Sequence, residues 1–276
     1  MSSAGPSRSL LVAALRATHP LPAAAVTGLV TLVTAVRGAD AATIGWVAAA
    51  TAAGQASVGW SNDYLDRHLD AAAGRLDKPL VAGEVPAGTI VALALVALPL
   101  SVALSFPVGL APAVLMLAAV ASAWSYNAGL KSTVLSWAPY AVSFGLAPAY
   151  IWRATGDRPP AWLLVGGALI GVAAHLLNVI PDLDRDRTTR GLPHRLGLGG
   201  SLLLACAILI AALVLVLVAG RIGPWSWPAA LLAGLLIAAV AWSGLSGRTH
   251  LSFRLAIASA AAIVLVLVVS PAGLGR

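Results

Sequence analysis

Charge is what this sequence has least of. Of its 276 residues 10% are charged and 59% hydrophobic, and the mean hydropathy is +0.91. A water-soluble domain is about a quarter charged, so a soluble globular protein is excluded and an integral membrane protein is expected. The one cysteine, Cys206, lies inside an apolar run. That excludes a disulfide framework and a thiolate metal site, and leaves Cys206 as a small buried hydrophobe. The two-residue alternation of an outer-membrane barrel is missing, as is any solenoid period. Alanine, valine and leucine dominate instead, which points to an all-α fold. The net charge of +7 does not imply nucleic acid. The lysines and arginines sit in short loops between apolar runs, where they set topology and meet anionic head groups of the lipid bilayer. Met1 to Ser9 has one arginine and no apolar core with a cleavage site, so residues 1–8 are expected to be a cytoplasmic tail rather than a signal peptide.

A transmembrane helix needs about 20 apolar residues, with a range of roughly 17–25. Nine stretches qualify: 21–36, 43–61, 88–106, 109–126, 133–152, 161–180, 199–220, 225–245 and 251–270. The first is short, contains Pro22, and is expected to begin near Ser9. Residues 9–276 are thus expected to form one nine-helix domain. With the amino terminus inside, twelve of the seventeen lysines and arginines fall on the cytoplasmic side, the bias that sets orientation in a multi-pass inner-membrane protein.

The ten acidic residues are not scattered. Asp63, Asp66 and Asp70 follow Asn62 at the end of the second apolar stretch, spaced to lie along one helical face. Asn178, Asp182, Asp184 and Asp186 stand at the end of the sixth. The inside-out assignment places both clusters on one side of the membrane, which it was not built to do. Acids at bilayer depth cost about 2.5–3.5 kcal/mol each on the insertion scale and repel one another, so neutralising cations are expected. Mg²⁺ is held by one or two carboxylates together with substrate phosphate oxygens. Two opposed acidic faces therefore suit a metal-bound diphosphate. The competing reading pairs these aspartates with Arg67, Arg185 and Arg187. Basic partners for a diphosphate stand close by: Arg75 and Lys78 after the first cluster, Lys131 after Tyr126 and Asn127, and Arg195 after the second cluster. His175 and Gln55 lie inside spans and either orient an acceptor, take up a proton, or bond helix to helix. His68 and His194 read as solvated loop residues.

Asn-Asp-x-x-Asp-x-x-x-Asp at 62–70, Lys-Pro-Leu-x-x-Gly at 78–83 and Asp-x-x-x-Asp at 182–186 resemble the UbiA superfamily of intramembrane prenyltransferases, over nearly the whole chain. The resemblance implies a nine-helix bundle around a central cavity with a cytoplasmic cap, and Mg²⁺-dependent use of an isoprenoid diphosphate. By its motifs, Asp63, Asp66, Asp70, Asp182 and Asp186 hold metal. Asn62, Lys78 and Lys131, with Arg75, Asn178 and Arg195 from their places beside the acidic clusters, are expected to hold the diphosphate, and Lys131, Tyr126 and Asp66 to be catalytic. Tyr126 and Lys131 are five apart where aromatic-ring members have four, and Arg190-Gly191-Leu192-Pro193 replaces the usual basic-x-Thr run.

The implied reaction joins a prenyl group to a small acceptor, an aromatic or quinone precursor. A lipid, a sugar phosphate, a tetrapyrrole or the prenyl chain itself in cyclisation are the alternatives within the fold. A membrane cation transporter is the alternative outside it, although transport favours acids at the midplane on broken helices, and here they fall at span ends.

Overall fold

The computed structural model describes residues 10–183 and 190–270. Among them there are ten α-helices and no strand: α1 (Leu10–Arg16), α2 (Pro20–Val36), α3 (Ala41–Ala72), α4 (Ala87–Ala103), α5 (Leu110–Asn127), α6 (Ala138–Ala154), α7 (Ala161–Val179), α8 (Leu192–Ala219), α9 (Trp227–Leu245) and α10 (Thr249–Val268). Six of these, α4, α5 and α7 to α10, are long and apolar enough to cross a membrane, and α1 with α2 makes a seventh if that bent pair is one span. Helices consecutive in sequence pack side by side, as short connections dictate, and α10 returns against α2, α7 and α8.

Three departures from the apolar pattern have local causes. The first expected span breaks into α1 and α2, bent by 70°. Pro20 disfavours a helical residue before it, and His19 adopts the left-handed conformation at φ 56°. The sixth does not continue as a helix to Asp186. It stops at Val179, and a 3₁₀ turn over Ile180–Asp182 follows, with Pro181 unable to supply the next N–H. Asp184, Arg185, Asp186 and Arg187 lie outside the described residues. The stretch read as starting at Thr133 becomes helical at Ala138, after a turn that carries Lys131.

α3 has 32 residues, about 48 Å of helix against a hydrocarbon core of roughly 30 Å. The surplus is its carboxyl-terminal third, which holds Asn62 to Asp70. Small residues bring the neighbours close: a Cβ on Gly171 of α7 would lie 2.4 Å from the Tyr140 carbonyl of α6, so that crossing requires glycine. At the end of the bundle away from Asp66 and Asp70, the Arg37 guanidinium stacks 4.0 Å over Trp152 and donates to Asp157 at 2.5 Å and to Thr155 at 2.9 Å.

Candidate active site

The carboxyl terminus of α3 sets the site. Gly74, at φ 66°, closes the helix with Gly74 N–H donating to Ala71 and Arg75 N–H to Asp70, the paired bonds of a Schellman motif. That turn sends the chain back on itself and lays Arg75 over the helix it has just left. Its guanidinium stands 3.6 Å from Asp70 and 3.5 Å from Asp182. Glu84, further along the same loop, accepts from Arg16 of α1 at 2.5 Å, and Arg16 also donates to the Asp77 carbonyl at 2.7 Å. The α3–α4 loop is thereby fastened over the end of the bundle.

Beneath it lies a cavity of about 640 Å³. Asn62, Asp66, Asp70, Arg75, Lys78, Lys131 and Asp182 line its polar end, Tyr126, Tyr140, His175 and Asn178 its middle, and residues such as Val30, Met116, Val120 and Leu209 its apolar remainder. Lys131 donates to Asp66. The Asn62 amide donates to Asp66 at 3.0 Å and to Asn127 at 3.3 Å, and Asn127 in turn bonds Val58 and Ser61 of α3. α5 thus fixes the orientation of the first acidic motif.

The expected stripe of three aspartates divides. Asp66 and Asp70 face the cavity with Asn62, at steps of four residues. Asp63 is not in the cavity wall and is 2% exposed. It lies about 10 Å deeper along the helix than Asp70, where the α1–α2 corner covers it. There its Oδ1 takes Lys78 Nζ at 2.5 Å and stands 2.9 Å from His19 Nε2, while Lys78 also meets His19 at 3.1 Å. Burial pushes the Asp63 carboxyl up, but His19 and Lys78 outweigh it and hold the group below the usual carboxylate range. Asp70 goes the other way, raised chiefly by burial, with Lys78 and Arg75 opposing and Asp66 and Asp63 adding to the rise. Both lie beyond the apolar stretch of α3.

The remaining expectations sort by position. Arg75, Lys78, Lys131, Tyr126 and Asn178 all border the cavity. Arg195 is exposed, donates to the Arg190 carbonyl and is outside the cavity wall. Asp186 is outside the described residues. His194, read as a solvated loop residue, instead opens α8 and lines the cavity. His19 was not singled out by the sequence, where a lone histidine before a proline carries no signal.

Among the described residues no three carboxylates or imidazoles stand together as a ready metal cage. Each acid at the polar end already faces a basic side chain. The donor set nevertheless suits a hard divalent cation: oxygen ligands only, and a buried oxygen left over, Asp182 Oδ1, that accepts no hydrogen bond. A cation that takes one or two carboxylates and completes its shell from phosphate oxygens and water fits such a mouth.

The UbiA prenyltransferase family model matches residues 23–257. Three solved structures share the fold over almost their whole length. The apo UbiA homolog from Aeropyrum pernix K1 is 20% identical at a TM-score of 0.72, covering 90% of this chain and 97% of that one. The UbiA homolog from Archaeoglobus fulgidus bound to GPP and Mg²⁺ is 18% identical at 0.64, covering 92% and 99%. A digeranylgeranylglyceryl phosphate synthase structure is 14% identical at 0.67, covering 94% and 98%. No curated protein is significantly similar in sequence. With an all-helical bundle, an acidic and basic mouth over an apolar cavity, and a family match across most of its length, the chain belongs to the UbiA prenyltransferase family.

Proposed function

We propose that this chain transfers a prenyl group from an isoprenoid diphosphate to a small aromatic or quinone-precursor acceptor, with Mg²⁺ and with release of diphosphate. The observation that carries the reading is the cavity itself: an apolar chamber whose polar end gathers Asp66, Asp70 and Asp182 with Arg75, Lys78 and Lys131. The GPP and Mg²⁺ in the Archaeoglobus fulgidus homolog support the donor and the metal. Asp66, Asp70 and Asp182, with Asp186, are the residues that would hold Mg²⁺, which supplies Lewis-acid neutralisation of the departing diphosphate.

The chain's own groups do the rest. Arg75, Lys78 and Lys131 donate to diphosphate oxygens, where negative charge grows as the bond from prenyl carbon to oxygen breaks and its electron pair leaves with the phosphate. Lys131 and Arg75 are then drawn from the carboxylates they now contact. The prenyl carbon, left electron-poor, faces the rings of Tyr126 and Tyr140, whose π-electrons stabilise it. Water is excluded by the apolar walls. The acceptor supplies the electron pair for the new bond and gives up a proton.

In the membrane, α1–α2 as one span, with α3 to α10, gives nine spans. The α3–α4 loop caps the cavity on the cytoplasmic face of the inner membrane, and residues 9–276 form one domain. Mass spectrometry tests the whole proposal: purified protein with Mg²⁺, donors of several lengths and a panel of aromatic acceptors is expected to yield a prenylated product. Mg²⁺ binding without any affinity for an isoprenoid diphosphate would point instead to cation transport.

A further inference from the structure

One buried group in the cavity wall is not used by the chemistry above. His175 of α7 is 1% exposed, and its Nδ1 has no hydrogen-bond partner. Its other ring nitrogen, Nε2, lies 2.9 Å from Ser136 Oγ, and the same oxygen accepts the Leu192 N–H at 2.9 Å. Ser136 is itself fully buried. A hydroxyl has one hydrogen to donate, and among the described residues His175 Nε2 is the one acceptor that the Ser136 hydrogen reaches. Nε2 therefore accepts, and the neutral imidazole carries its hydrogen on Nδ1. Leaving such an N–H buried and unpaired costs about 1–3 kcal/mol, and an orphan of this kind in a wall calls for a ligand that completes it.

The position narrows what that ligand is. His175 lies seven residues before Asp182, about 10 Å below the mouth, and Tyr126 and Tyr140 flank its ring at 5.5 and 5.0 Å. The diphosphate is held at the mouth, and a prenyl chain has no atom that accepts a hydrogen bond. Of the two substrates, the acceptor alone brings an oxygen to this depth. We propose that His175 Nδ1–H binds the acceptor, and that the acceptor presents a carbonyl, phenol or phenolate oxygen on a flat ring lying beside Tyr126 and Tyr140, whose own rings meet edge to face at 5.2 Å. Ser136 is a positioning residue, acting through the imidazole by fixing which nitrogen donates. The inference rests on the prenyl-transfer reading.

The test uses full-length protein labelled with ¹⁵N-histidine, in detergent with Mg²⁺, and two probes of one shape, phenol and toluene. His175→Gln assigns the His175 resonances by their loss. The expected spectrum shows Nδ1 protonated and Nε2 not, with the proton redistributed between them in Ser136→Ala. Phenol is expected to shift the Nδ1 signal and to bind roughly fivefold more tightly than toluene, the worth of one hydrogen bond. That preference disappears in His175→Phe and partly returns in His175→Asn. A proton on Nε2, or equal responses to phenol and toluene, overturns the assignment. Titration of the same protein with GPP separates the two readings. If GPP binds with Mg²⁺ while phenol leaves His175 unmoved, the acceptor assignment alone fails. If GPP does not bind, the prenyl-transfer reading fails and takes this one with it.

Discussion

Arg75 and Asp182 stand 3.5 Å apart, nitrogen to oxygen, although 107 residues separate them in the chain. Arg75 is at the same time 3.6 Å from Asp70, so one guanidinium spans the gap between the two acidic motifs. The motifs therefore open on one chamber at one end of the bundle. The contact also shows how the acidic groups of the site are compensated by basic ones. Arg75 and Lys131, two of the basic groups that suit a diphosphate, are lodged against Asp70, Asp182 and Asp66, carboxylates that suit a metal, so metal and diphosphate, arriving together, would exchange these pairs at once.

Asp66 and Asp182 are the carboxylates for which loss of charge matters most to turnover. Asp66→Asn and Asp182→Asn keep the side-chain volume and remove the anion. Prenyl transfer is expected to fall by roughly a hundredfold or more in each, the scale of losing one charge-stabilising partner at a reacting centre. Melting temperature should change little, because both groups line a cavity and are not packed in the core. Steady-state rates with a thermal melt on the same preparation check both halves, and undiminished turnover in either variant removes that residue from the metal site.

Asp63 and Lys78 make the opposite prediction. Asp63 is 2% exposed, its charge is balanced by Lys78, and His19 stands within hydrogen-bond distance. Lys78→Met would leave a buried carboxylate without its ammonium partner, a change that costs about 3–5 kcal/mol where a buried pair is broken. The double variant Asp63→Asn with Lys78→Met removes both charges and should recover most of that stability. Thermal unfolding in detergent decides it. If the single and double variants melt alike, the pair is not structural.

How far the sequence foretold this site depends on the reach of the contacts involved. The acidic motif on α3 was readable because steps of four residues repeat along one face of a helix, and Asn62, Asp66 and Asp70 do share that face. Asp63 turned out differently because its neighbours, His19 and Lys78, come from other segments, and no periodicity carries that information. The sixth stretch, read as ending at 180, does end there, because Pro181 cannot continue the helix. His194 looked solvated next to Arg195 and Pro193, and only the start of α8 at Leu192 brings it to the cavity. Arg195, next in sequence, faces outward for the same reason: adjacent residues on a helix point about 100° apart.

Removing divalent metal tests the mouth as a unit. Treatment with EDTA is expected to abolish turnover and to weaken binding of an isoprenoid diphosphate, and added Mg²⁺ should restore both. The physical ground is that Arg75 and Lys131 are engaged by Asp70 and Asp66 and are released to phosphate only when another cation replaces them at the carboxylates. Isothermal titration with and without metal reads this directly. Equal diphosphate affinity in the two conditions would mean that the basic residues act alone.

Gly59 offers a test of how α1 holds the site together. A Cβ at this position of α3 would lie 2.5 Å from the Thr18 carbonyl oxygen and 2.7 Å from the Thr18 Cα, backbone atoms that no rotamer change can move aside. Thr18 precedes His19, the residue that completes the Asp63–Lys78 cluster. Gly59→Ala must therefore push the α1–α2 corner outward, and it is expected to cost about 1–3 kcal/mol, as overpacking does. It should also lower turnover, since Lys78 loses its second partner. Gly28 on α2 is the control: a Cβ there meets nothing within 4 Å, and alanine is favoured over glycine in a helix by about 1 kcal/mol. The melting temperature should fall in Gly59→Ala and rise in Gly28→Ala, and the initial rate should fall in Gly59→Ala alone. Should Gly59→Ala behave like Gly28→Ala, α1 is not packed on α3 as described, and the fastening of the α3–α4 loop through Arg16 and His19 falls with it.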